Sequence, residues 1–458
     1  MTIFFISFFS GNNFFYNNTF HESKAVADSN NFNKTHLQRS RYILSRSRKF
    51  PFLKDEGMLK IGLIREGKTP ADNRVALTPE QCKWIQKNKN ISITVQHSDS
   101  RCYKDSEYSN AGIEVKDDVT DCDVLLGIKE VPIDQLIAEK TYFFFSHTRK
   151  LQSYNQKLLQ AILDKKITLI DYECLEHEDG TRLIGFGFFA GVVGAHNGMM
   201  AYGNRTGKYF LNRVYKKRNF QELIHTYFGL KLPPVKIIVT GSGRVAHGII
   251  EIMNLMEIHE AEIDEYKTTK FSYPVYLHLK GINLYINKIT GKYDRNEFHL
   301  FPERYTCLFQ DYISETDILL NGVYWEEKTP RLFEMDDMKK DNFRITTIAD
   351  ISDDLNGSVP CNMGETTIED PVYGVDKLTG TITPPYLPGS VDVMAVGNLP
   401  NELPRDASRY FGEQLIKFIL DDLIIGNSKL LEQATIAKEG KLTKRFSYME
   451  SYSGKGKG

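Results

Sequence analysis

Short apolar stretches recur along the chain from Leu59 onward. Leu59–Arg65 alternates apolar with other residues, which predicts a β-strand. Asp123–Ile128 is almost continuously apolar, as is typical of a strand that is covered on both faces. Three more stretches have the character of strands: Ile91–Val95, Thr141–Ser146 and Ile167–Tyr172. These strands therefore belong to a sheet that is buried by layers on either side.

Helices are predicted between these strands. Thr78-Pro79-Glu80 indicates a helix start, because threonine caps, proline suits the first turn and glutamate favours the positive end of the helix dipole. Leu151–Leu163 has helical character, and so does Asp406–Ile425 near the end of the chain. Strands that alternate with helices predict a parallel α/β sheet.

A second α/β unit begins at Val235–Thr240 and continues through Ile318–Leu320 and Ile345–Ile351. The polar and aromatic stretch Glu260–Phe309 between them has the character of an insertion. Before this unit, Ile184–Met200 is rich in small and apolar residues and predicts a glycine-rich turn that runs into a buried helix. The fold class is therefore α/β, with two Rossmann-like domains whose parallel sheets flank an interdomain cleft.

The pattern also predicts domain boundaries. Residues 58–195 form a substrate and catalytic domain that residues 398–458 complete, and residues 196–397 form a dinucleotide-binding domain with an insertion near 260–309. Residues 1–57 hold one short apolar run and then an Asn-, Ser- and Arg-rich stretch with no period. We interpret them as a disordered extension or as an artefact of an upstream start, and their presence in the mature protein stays open.

Composition narrows the class of protein. The 458 residues are 41% hydrophobic and 26% charged, with a net charge of −1. No strong field favours nucleic acid or an anionic membrane. No run of 18 or more apolar residues occurs, so no membrane span is predicted. The six cysteines form no CxxC pair, which indicates neither a zinc site nor a redox dithiol. We predict a soluble, cytoplasmic protein that binds no metal.

A glycine turn follows the strand Val235–Thr240. Gly241 and Gly243 stand in a GxG arrangement before a predicted helix, with Ala246 at the usual third glycine position and Gly248 two residues later. Such a turn lets a pyrophosphate approach the backbone at a helix N-terminus. It predicts a dinucleotide site, with strand–helix packing alone as the alternative.

The residue that would meet the adenosine ribose follows the next predicted strand, Pro274–Leu279. It is Lys280 rather than the acidic residue that is usual for NAD. Lysine would accept a 2′-phosphate, so the cofactor prediction is NAD or NADP.

Three predicted strands end in a polar side chain. Arg65 ends the first, with Lys68 and Arg74 close behind; Lys129 ends another and His147 a third. Ligands of open parallel sheets bind beyond the carboxyl ends of strands, so these side chains are expected to line one crevice. Arginine can hold a carboxylate, and lysine and histidine can transfer protons. The alternatives are a surface ion pair for Arg65, a solvated charge for Lys129 and a helix cap for His147.

Several motifs in order resemble one enzyme family. GLIREGKTPADNRVALTP, GIKE, FFFSHTRKLQ, GFGFFAGVVGA and NLPNELPRDAS are similar to the lysine-forming saccharopine dehydrogenases. TYFFFSHTRK, LIDYE, NGVYWEEKTPRL and TTIEDP resemble the lysine–2-oxoglutarate reductase domain of bifunctional lysine-degrading enzymes. Alanine dehydrogenase and the transhydrogenase N-terminal domain are more distant. The resemblance implies an oxidoreductase that interconverts saccharopine with lysine and 2-oxoglutarate.

The resemblance also implies roles for individual residues. Lys129 resembles the catalytic base and His147 the catalytic acid. Residues that resemble substrate contacts are Arg65, Lys68, Gln152, Arg182, Phe186, Tyr324 and Trp325. Residues that resemble cofactor contacts, beside the two glycines of the turn, are Arg244, Val245, Val323, Val396, Gly397, Asn398 and Leu399. Glu66 and Glu130 either tune the neighbouring bases or are surface charges.

Two other functions stay open. One is a different amino-acid dehydrogenase, similar to alanine dehydrogenase; the other is a nucleotide-binding regulator without catalytic activity. The expected partner is a small-molecule substrate, with neither nucleic acid nor membrane, and the chain is predicted to be a monomer or a homodimer. The direction of the reaction in the cell is not determined by these residues.

Overall fold

The computed structural model describes residues 57–426 and 428–454. The predicted N-terminal extension therefore lies, except for Gly57, outside the described residues. The described strands, numbered in chain order, are β1 (Leu59–Leu63), β2 (Ile91–Gln96), β3 (Glu114–Lys116), β4 (Val124–Leu126), β5 (Thr141–Phe144), β6 (Thr168–Asp171), β7 (Lys236–Thr240), β8 (His259–Glu260), β9 (Val275–Leu279), β10 (Tyr285–Asn287), β11 (Tyr305–Cys307), β12 (Ile318–Asn321), β13 (Thr347–Asp350), β14 (Val372–Asp376), β15 (Ile382–Thr383), β16 (Ser390–Met394), β17 (Thr435–Lys438) and β18 (Lys441–Leu442).

The α-helices alternate with these strands through most of the chain. They are α1 (Pro79–Asn88), α2 (Asp105–Asn110), α3 (Gln156–Asp164), α4 (Gly187–Thr206), α5 (Phe220–His225), α6 (Arg244–Leu255), α7 (Ile263–Thr268), α8 (Arg295–Leu300), α9 (Pro404–Phe418), α10 (Leu420–Ile425) and α11 (Lys429–Ala434). Short 3₁₀ turns connect several of these elements.

The first sheet has the order β3-β2-β1-β4-β5-β6-β17-β18. Strands β1 to β6 are parallel to one another, and β17 and β18 are added antiparallel at one edge. The chain builds outward from β1 to β3 and then returns to place β4 on the other side of β1. The first sheet therefore has a reversal of strand order between β1 and β4, where a parallel α/β sheet opens a crevice.

The second sheet has the order β15-β14-β16-β13-β12-β7-β9-β8. Six neighbouring strands of this sheet are parallel: β8, β9, β7, β12, β13 and β16. Strand β14 pairs antiparallel with β16, and β15 pairs antiparallel with β14. Strand order reverses between β7 and β12. The predicted α/β class with two largely parallel sheets is confirmed.

The stretch Glu260–Phe309, expected as an insertion, is divided in two. Its strand β9 is a central member of the second sheet, beside β7. Strands β10 and β11 instead pair only with each other, as a separate two-stranded sheet. The added structure is therefore confined to the residues that follow β9.

The sequence patterns predicted some helix boundaries correctly and others wrongly. The Thr78 side chain accepts from the Gln81 N–H, and the Gln81 side chain accepts from the Thr78 N–H, so α1 begins as predicted. The helix predicted from Leu151 begins only at Gln156, because Leu151 has a left-handed φ of 56° and a 3₁₀ turn follows. The single helical stretch predicted over Asp406–Ile425 is two helices, which Ile419 separates.

The glycine-rich helix α4 crosses α6 with the two backbones in direct contact. A Cβ atom on Gly191 would lie 2.0 Å from the Val245 carbonyl oxygen, and one on Gly248 would lie 2.0 Å from the Phe188 carbonyl oxygen. No side chain fits at either position. Gly248, the late glycine of the turn sequence, therefore serves the packing of α6 against α4.

Among the described residues, no helix combines the length and apolar character that a membrane span needs.

We expect Gly191→Ala to destabilise the protein by about 1–3 kcal/mol, because the added methyl group forces apart two packed helices. Gly185→Ala is the matched control, since its Cβ would meet only the Arg244 guanidinium at 3.5 Å. Urea unfolding followed by circular dichroism measures both variants. Equal unfolding midpoints for the two would contradict the proposed contact.

Candidate functional site

The crevice at the reversal of the first sheet collects side chains from adjacent strand ends. Leu63 of β1 pairs in register with Leu126 of β4, so Arg65–Lys68 and Lys129–Glu130 leave the sheet side by side. Phe143 of β5 pairs with Leu126 in turn, which brings His147 to the same edge. The structure therefore gathers the predicted Lys68, Lys129 and His147 at one edge.

Glu130 connects two of these candidates. Its carboxylate accepts a hydrogen bond from Lys68 Nζ at 3.0 Å and lies 2.6 Å from His147 Nδ1. Burial is the largest single effect and opposes the ionisation of Glu130, but the hydrogen bond and charge of His147, together with smaller contributions that include the Lys68 hydrogen bond, lower the pKa to about 2. Glu130 is therefore a permanently charged partner that orients the imidazole, rather than a surface charge.

Lys129 lies beside this pair with an altered acidity. Burial, followed by the nearby Arg74 cation, lowers the pKa of Lys129 to about 8, while Asp72 acts in the opposite direction. A lysine with this pKa is partly neutral near physiological pH and can accept a proton. The electrostatics of the crevice therefore suit acid–base chemistry at Lys129.

Glu66 lies behind Lys129. Its two carboxyl oxygens accept the backbone N–H groups of Ile128 at 2.6 Å and Lys129 at 2.8 Å. Burial, followed by the Asp72 carboxylate, raises the pKa of Glu66 to about 8, although the two N–H donors favour its ionised form. Glu66 is thus part of the site and not a surface charge.

A buried ion pair in the same crevice joins Arg74, which the sequence analysis named, to Asp72, which it did not. Arg74 binds Asp72 through Nε at 2.9 Å and Nη2 at 2.5 Å, and the two residues are 3% and 2% exposed. Arg74 also donates to Asn398 Oδ1 at 2.8 Å and lies over the Phe186 ring at 4.2 Å. The spacing DxR was visible in the sequence, but only the fold shows that this pair is buried beside Lys129.

Phe186 belongs to an aromatic cluster beneath Arg74. It stacks on Phe411 with ring centroids 4.5 Å apart, and Phe145 lies 6.1 Å from it. Phe145 in turn stacks on the His147 imidazole at 6.4 Å. The predicted Phe186 is therefore joined to the crevice through a continuous set of rings.

Two predicted substrate contacts point elsewhere. The Arg65 guanidinium lies 3.4 Å from Asp117 and lines a cavity of about 320 Å³ with Gln96. Gln152 is exposed, and its side chain accepts from the Tyr154 hydroxyl at 2.5 Å. Neither has a described hydrogen bond to the Lys129–Glu130–His147 group, although both leave the same edge of the sheet.

Arg182 lies at the other side of the crevice, where it donates to the buried Glu173. Tyr324 is 67% exposed and donates to Glu326, whereas Trp325 is half-buried and donates to the Thr329 carbonyl. Both aromatic residues follow β12 of the second sheet. The predicted substrate contacts thus include residues that follow strands of both sheets.

The glycine turn lies at the reversal of the second sheet. Gly241 has φ +101°, and a Cβ atom there would lie 2.5 Å from the Gly322 carbonyl oxygen, so only glycine fits between β7 and β12. Gly243 caps α6 without a side-chain hydrogen bond, and nothing lies within 4 Å of where its Cβ would be. The space beside Gly243 is therefore open at the α6 N-terminus, and the first N–H groups of a helix, which have no partner within the helix, suit an anionic group there.

The two crevices face each other through direct contacts. Arg244, at the start of α6, donates to the Leu183 carbonyl at 3.2 Å. Asn398 Nδ2 donates to Asp72 at 3.1 Å, in addition to its bond with Arg74. The remaining predicted cofactor residues lie along these same segments: Val245 at the α6 N-terminus, Val323 after β12, and Val396, Gly397 and Leu399 after β16.

No group of three or more His, Cys, Asp or Glu side chains in residues 57–426 and 428–454 could hold a metal ion. All six cysteines are free thiols, and Cys82, Cys122, Cys174 and Cys361 are buried.

A known family matches the segment of the chain that contains β2 to β6 of the first sheet. Residues 62–193 match the family model described as alanine dehydrogenase/PNT, N-terminal domain. An L-alanine dehydrogenase structure is similar in fold, with a TM-score of 0.56 at 15% identity, over 86% of this chain and 99% of that chain. The predicted pair of Rossmann-like sheets is thereby confirmed at the level of fold.

Curated relatives are similar to this chain over most of its length. The mitochondrial alpha-aminoadipic semialdehyde synthase of Mus musculus is 31% identical over 85% of this chain, but the match covers only 47% of that protein. This chain thus spans about half the length of such relatives. The NAD(+)-dependent, L-lysine-forming saccharopine dehydrogenase of Emericella nidulans is 26% identical over 82% of this chain and 96% of its own length.

These matches agree with the motifs from which the resemblance was inferred. Residues 62–193 carry an alanine dehydrogenase/PNT N-terminal domain, and the resemblance of the chain to the saccharopine dehydrogenase and aminoadipic semialdehyde synthase family is confirmed.

Proposed function

We propose that this protein is an oxidoreductase that interconverts saccharopine with lysine and 2-oxoglutarate by means of a nicotinamide cofactor. The observation that carries the proposal is the side-by-side placement of Lys129 and the Glu130–His147 pair at the reversal of the first sheet, opposite the glycine turn. The saccharopine dehydrogenase of Emericella nidulans supports the choice of substrate. Residues 58–195 with 398–458 would form the catalytic domain, and residues 196–397 the cofactor domain.

The glycine turn supports the cofactor. The N–H groups at the α6 N-terminus would bind the pyrophosphate over Gly243, where no protein atom stands in the way. Val323 and the segment Val396–Leu399 would line the nicotinamide end. When bound, the nicotinamide accepts or supplies the hydride, so the protein itself provides only binding, orientation and proton transfer.

The cations of the crevice support a substrate with several carboxylates. Saccharopine carries three carboxylate groups, and guanidinium groups bind such groups in bidentate fashion. Arg74 and Arg182 lie on two sides of the crevice, and Lys68 lies beside Lys129. We therefore assign carboxylate binding to these three residues. The predicted contacts of Arg65 and Gln152 with the substrate would require both side chains to leave their present partners, Asp117 and Tyr154. Phe186, Tyr324 and Trp325 would contact the carbon chain.

The proton steps follow from the acidities of the site. Neutral Lys129 takes the proton from the secondary amine of saccharopine as the hydride leaves the adjacent carbon. The protonated Lys129 returns this proton to the imine nitrogen, and Lys129, neutral again, accepts a proton from the water that adds to the carbon. His147, held by Glu130, donates a proton to the nitrogen as the carbinolamine separates into lysine and 2-oxoglutarate, and it then takes up the hydroxyl proton that the new carbonyl group releases. Each proton transfer is typically worth about 10²–10⁴-fold in rate.

The full-length chain tests this proposal directly, with absorbance of the reduced nicotinamide as the readout. We expect turnover with saccharopine plus NAD⁺ or NADP⁺, and with lysine plus 2-oxoglutarate and the reduced cofactor. Turnover only with pyruvate and ammonia would indicate an alanine dehydrogenase instead. Cofactor binding without any turnover would favour a regulatory role and refute the proposal.

The pKa of Lys129 predicts a pH dependence for saccharopine oxidation. Because the neutral amine is the active form, kcat/KM should rise with pH and level off above about 8. Lys129→Met should lower kcat by about 100-fold or more and remove this rise, with little effect on cofactor affinity. Lys157→Met, on the exposed face of α3, is the control. An unchanged pH profile in Lys129→Met would exclude Lys129 as the base.

We also propose that Lys280 favours NADP(H). It is exposed immediately after β9, where the ribose of a dinucleotide lies in this type of sheet. Lys280→Asp should raise the KM for NADPH by about 10-fold or more, because a charged contact to the 2′-phosphate is worth about 1.5–3 kcal/mol. The KM for NADH should rise less or fall. Lys270→Asp, which removes the same charge before β9, is the control. Equal effects of Lys280→Asp on both cofactors would refute the assignment.

A further inference from the structure

The backbone of both Lys129, the candidate base, and His147, the candidate acid, lies outside regular secondary structure. Each lies just beyond the end of its strand, where the ladder of hydrogen bonds to neighbouring strands has ended. His147 also has a left-handed φ of 51°, a conformation that costs a residue other than glycine about 1–2 kcal/mol. The last backbone bond between the two segments runs from the Phe145 N–H to the Ile128 carbonyl at 2.9 Å, so groups outside the ladder must hold the residues that follow it.

At Lys129, the holding group is Glu66. This glutamate leaves the end of β1 and reaches across the crevice to β4, where its two oxygens accept the N–H groups of Ile128 and Lys129. At the preceding Gly127, a Cβ atom would lie 2.9 Å from Ile64 Cδ1, so the glycine leaves room for the Ile64 side chain next to Glu66. A carboxylate that accepts two adjacent backbone N–H groups fixes both the position and the orientation of that peptide segment.

At His147, the equivalent group is Asp171. It lies at the end of β6, on the other side of β5, and it is 0% exposed. Its Oδ2 atom accepts the backbone N–H of Ser146 at 3.0 Å and the Ser146 hydroxyl at 2.5 Å. Its Oδ1 atom accepts the Glu173 N–H at 2.7 Å. Asp171 thus holds the residue immediately before His147 to the next strand.

We propose that Glu66 and Asp171 are a matched pair of positioning residues that set the geometry between Lys129 and His147. Each supplies a carboxyl group from the strand next to the one it holds: β1 holds β4, and β6 holds β5. Neither bonds to the Lys129 or His147 side chain. Their contribution is the fixed separation of the base and the acid, and this inference rests on the proposed function.

The physical basis is the sensitivity of proton transfer to distance. A displacement of about 1 Å at a reacting group can lower the rate about 100-fold. Glu66→Gln keeps one acceptor oxygen but turns an NH₂ group toward a backbone N–H. The N–H of either Ile128 or Lys129 therefore loses its hydrogen-bond acceptor. Asp171→Asn does the same at Ser146. Both changes keep the size of the side chain and leave the substrate-binding cations in place.

The test compares three variants of the full-length protein by steady-state kinetics and by amide hydrogen exchange. The control is Asp317→Asn, because Asp317 also accepts a backbone N–H from a neighbouring strand, that of Lys236 at 2.9 Å, but at the start of β7 rather than at the crevice. We expect Glu66→Gln and Asp171→Asn to lower kcat about 10- to 100-fold with less than a threefold change in KM. Asp317→Asn should keep kcat within about twofold.

Hydrogen exchange adds a readout that does not depend on turnover. Exchange should become faster in residues 127–130 of Glu66→Gln and in residues 145–148 of Asp171→Asn, and the Asp317 variant should leave both segments unchanged. If Asp171→Asn does not fold, Ser146→Ala removes one of the same hydrogen bonds and should lower kcat to a smaller extent.

The possible failures are distinct. No turnover in the unmodified protein refutes the proposed function, while the exchange measurement still decides whether the two carboxylates hold their segments. An active protein whose Glu66→Gln and Asp171→Asn variants retain kcat like the Asp317 control refutes the positioning role. A rise in KM without a fall in kcat also refutes it, since that result indicates a loss of substrate binding.

Discussion

Strand β1 of the first sheet pairs in parallel with β2 on one side and with β4 on the other. The connections that follow β1 and β4 therefore leave the sheet in opposite directions and open a gap between their carboxyl ends. The candidate groups for proton transfer depend on that gap. Lys68 enters it from β1, Lys129 and Glu130 from β4, and His147 from the adjacent β5.

The charges in this gap are arranged in pairs that differ in burial. Arg74 and Asp72 are almost completely buried and satisfy each other, so the pair is costly to break but is not itself poised to transfer a proton. Lys129 has no described salt bridge, and burial, followed by the Arg74 cation, lowers its pKa. His147 has Glu130 as its partner and is thereby kept in one orientation. The same crevice thus holds fixed charges for binding beside groups that can titrate.

The link between the two sheets uses backbone contact as well as polar groups. Helix α4 leads from the first sheet to the second and presses against α6, the helix that begins at the glycine turn. Asn398, on the chain's return, bonds to both Arg74 and Asp72. The two sheets are therefore joined both by the packing of α4 against α6 and by the hydrogen bonds of Asn398.

The sequence alone determined the class of fold, because the alternation of apolar strands with capped helices is a local property of each segment. It also determined the chemistry present at each strand end, namely Lys68, Lys129 and His147, since residues that follow parallel strands must share one edge. The turn at Gly241 could also be predicted from the sequence, because its positive φ is a local requirement that glycine meets.

Only the tertiary structure decided which charges meet. Arg65 and Lys68 are three residues apart, yet one turns to Asp117 and the other to Glu130, because the loop after β1 changes direction between them. Glu66 and Asp171 look like ordinary acidic residues in the sequence, and their hydrogen bonds join segments 62 and 25 residues away. Pairing across such distances depends on strand order and register, which local sequence preferences do not encode.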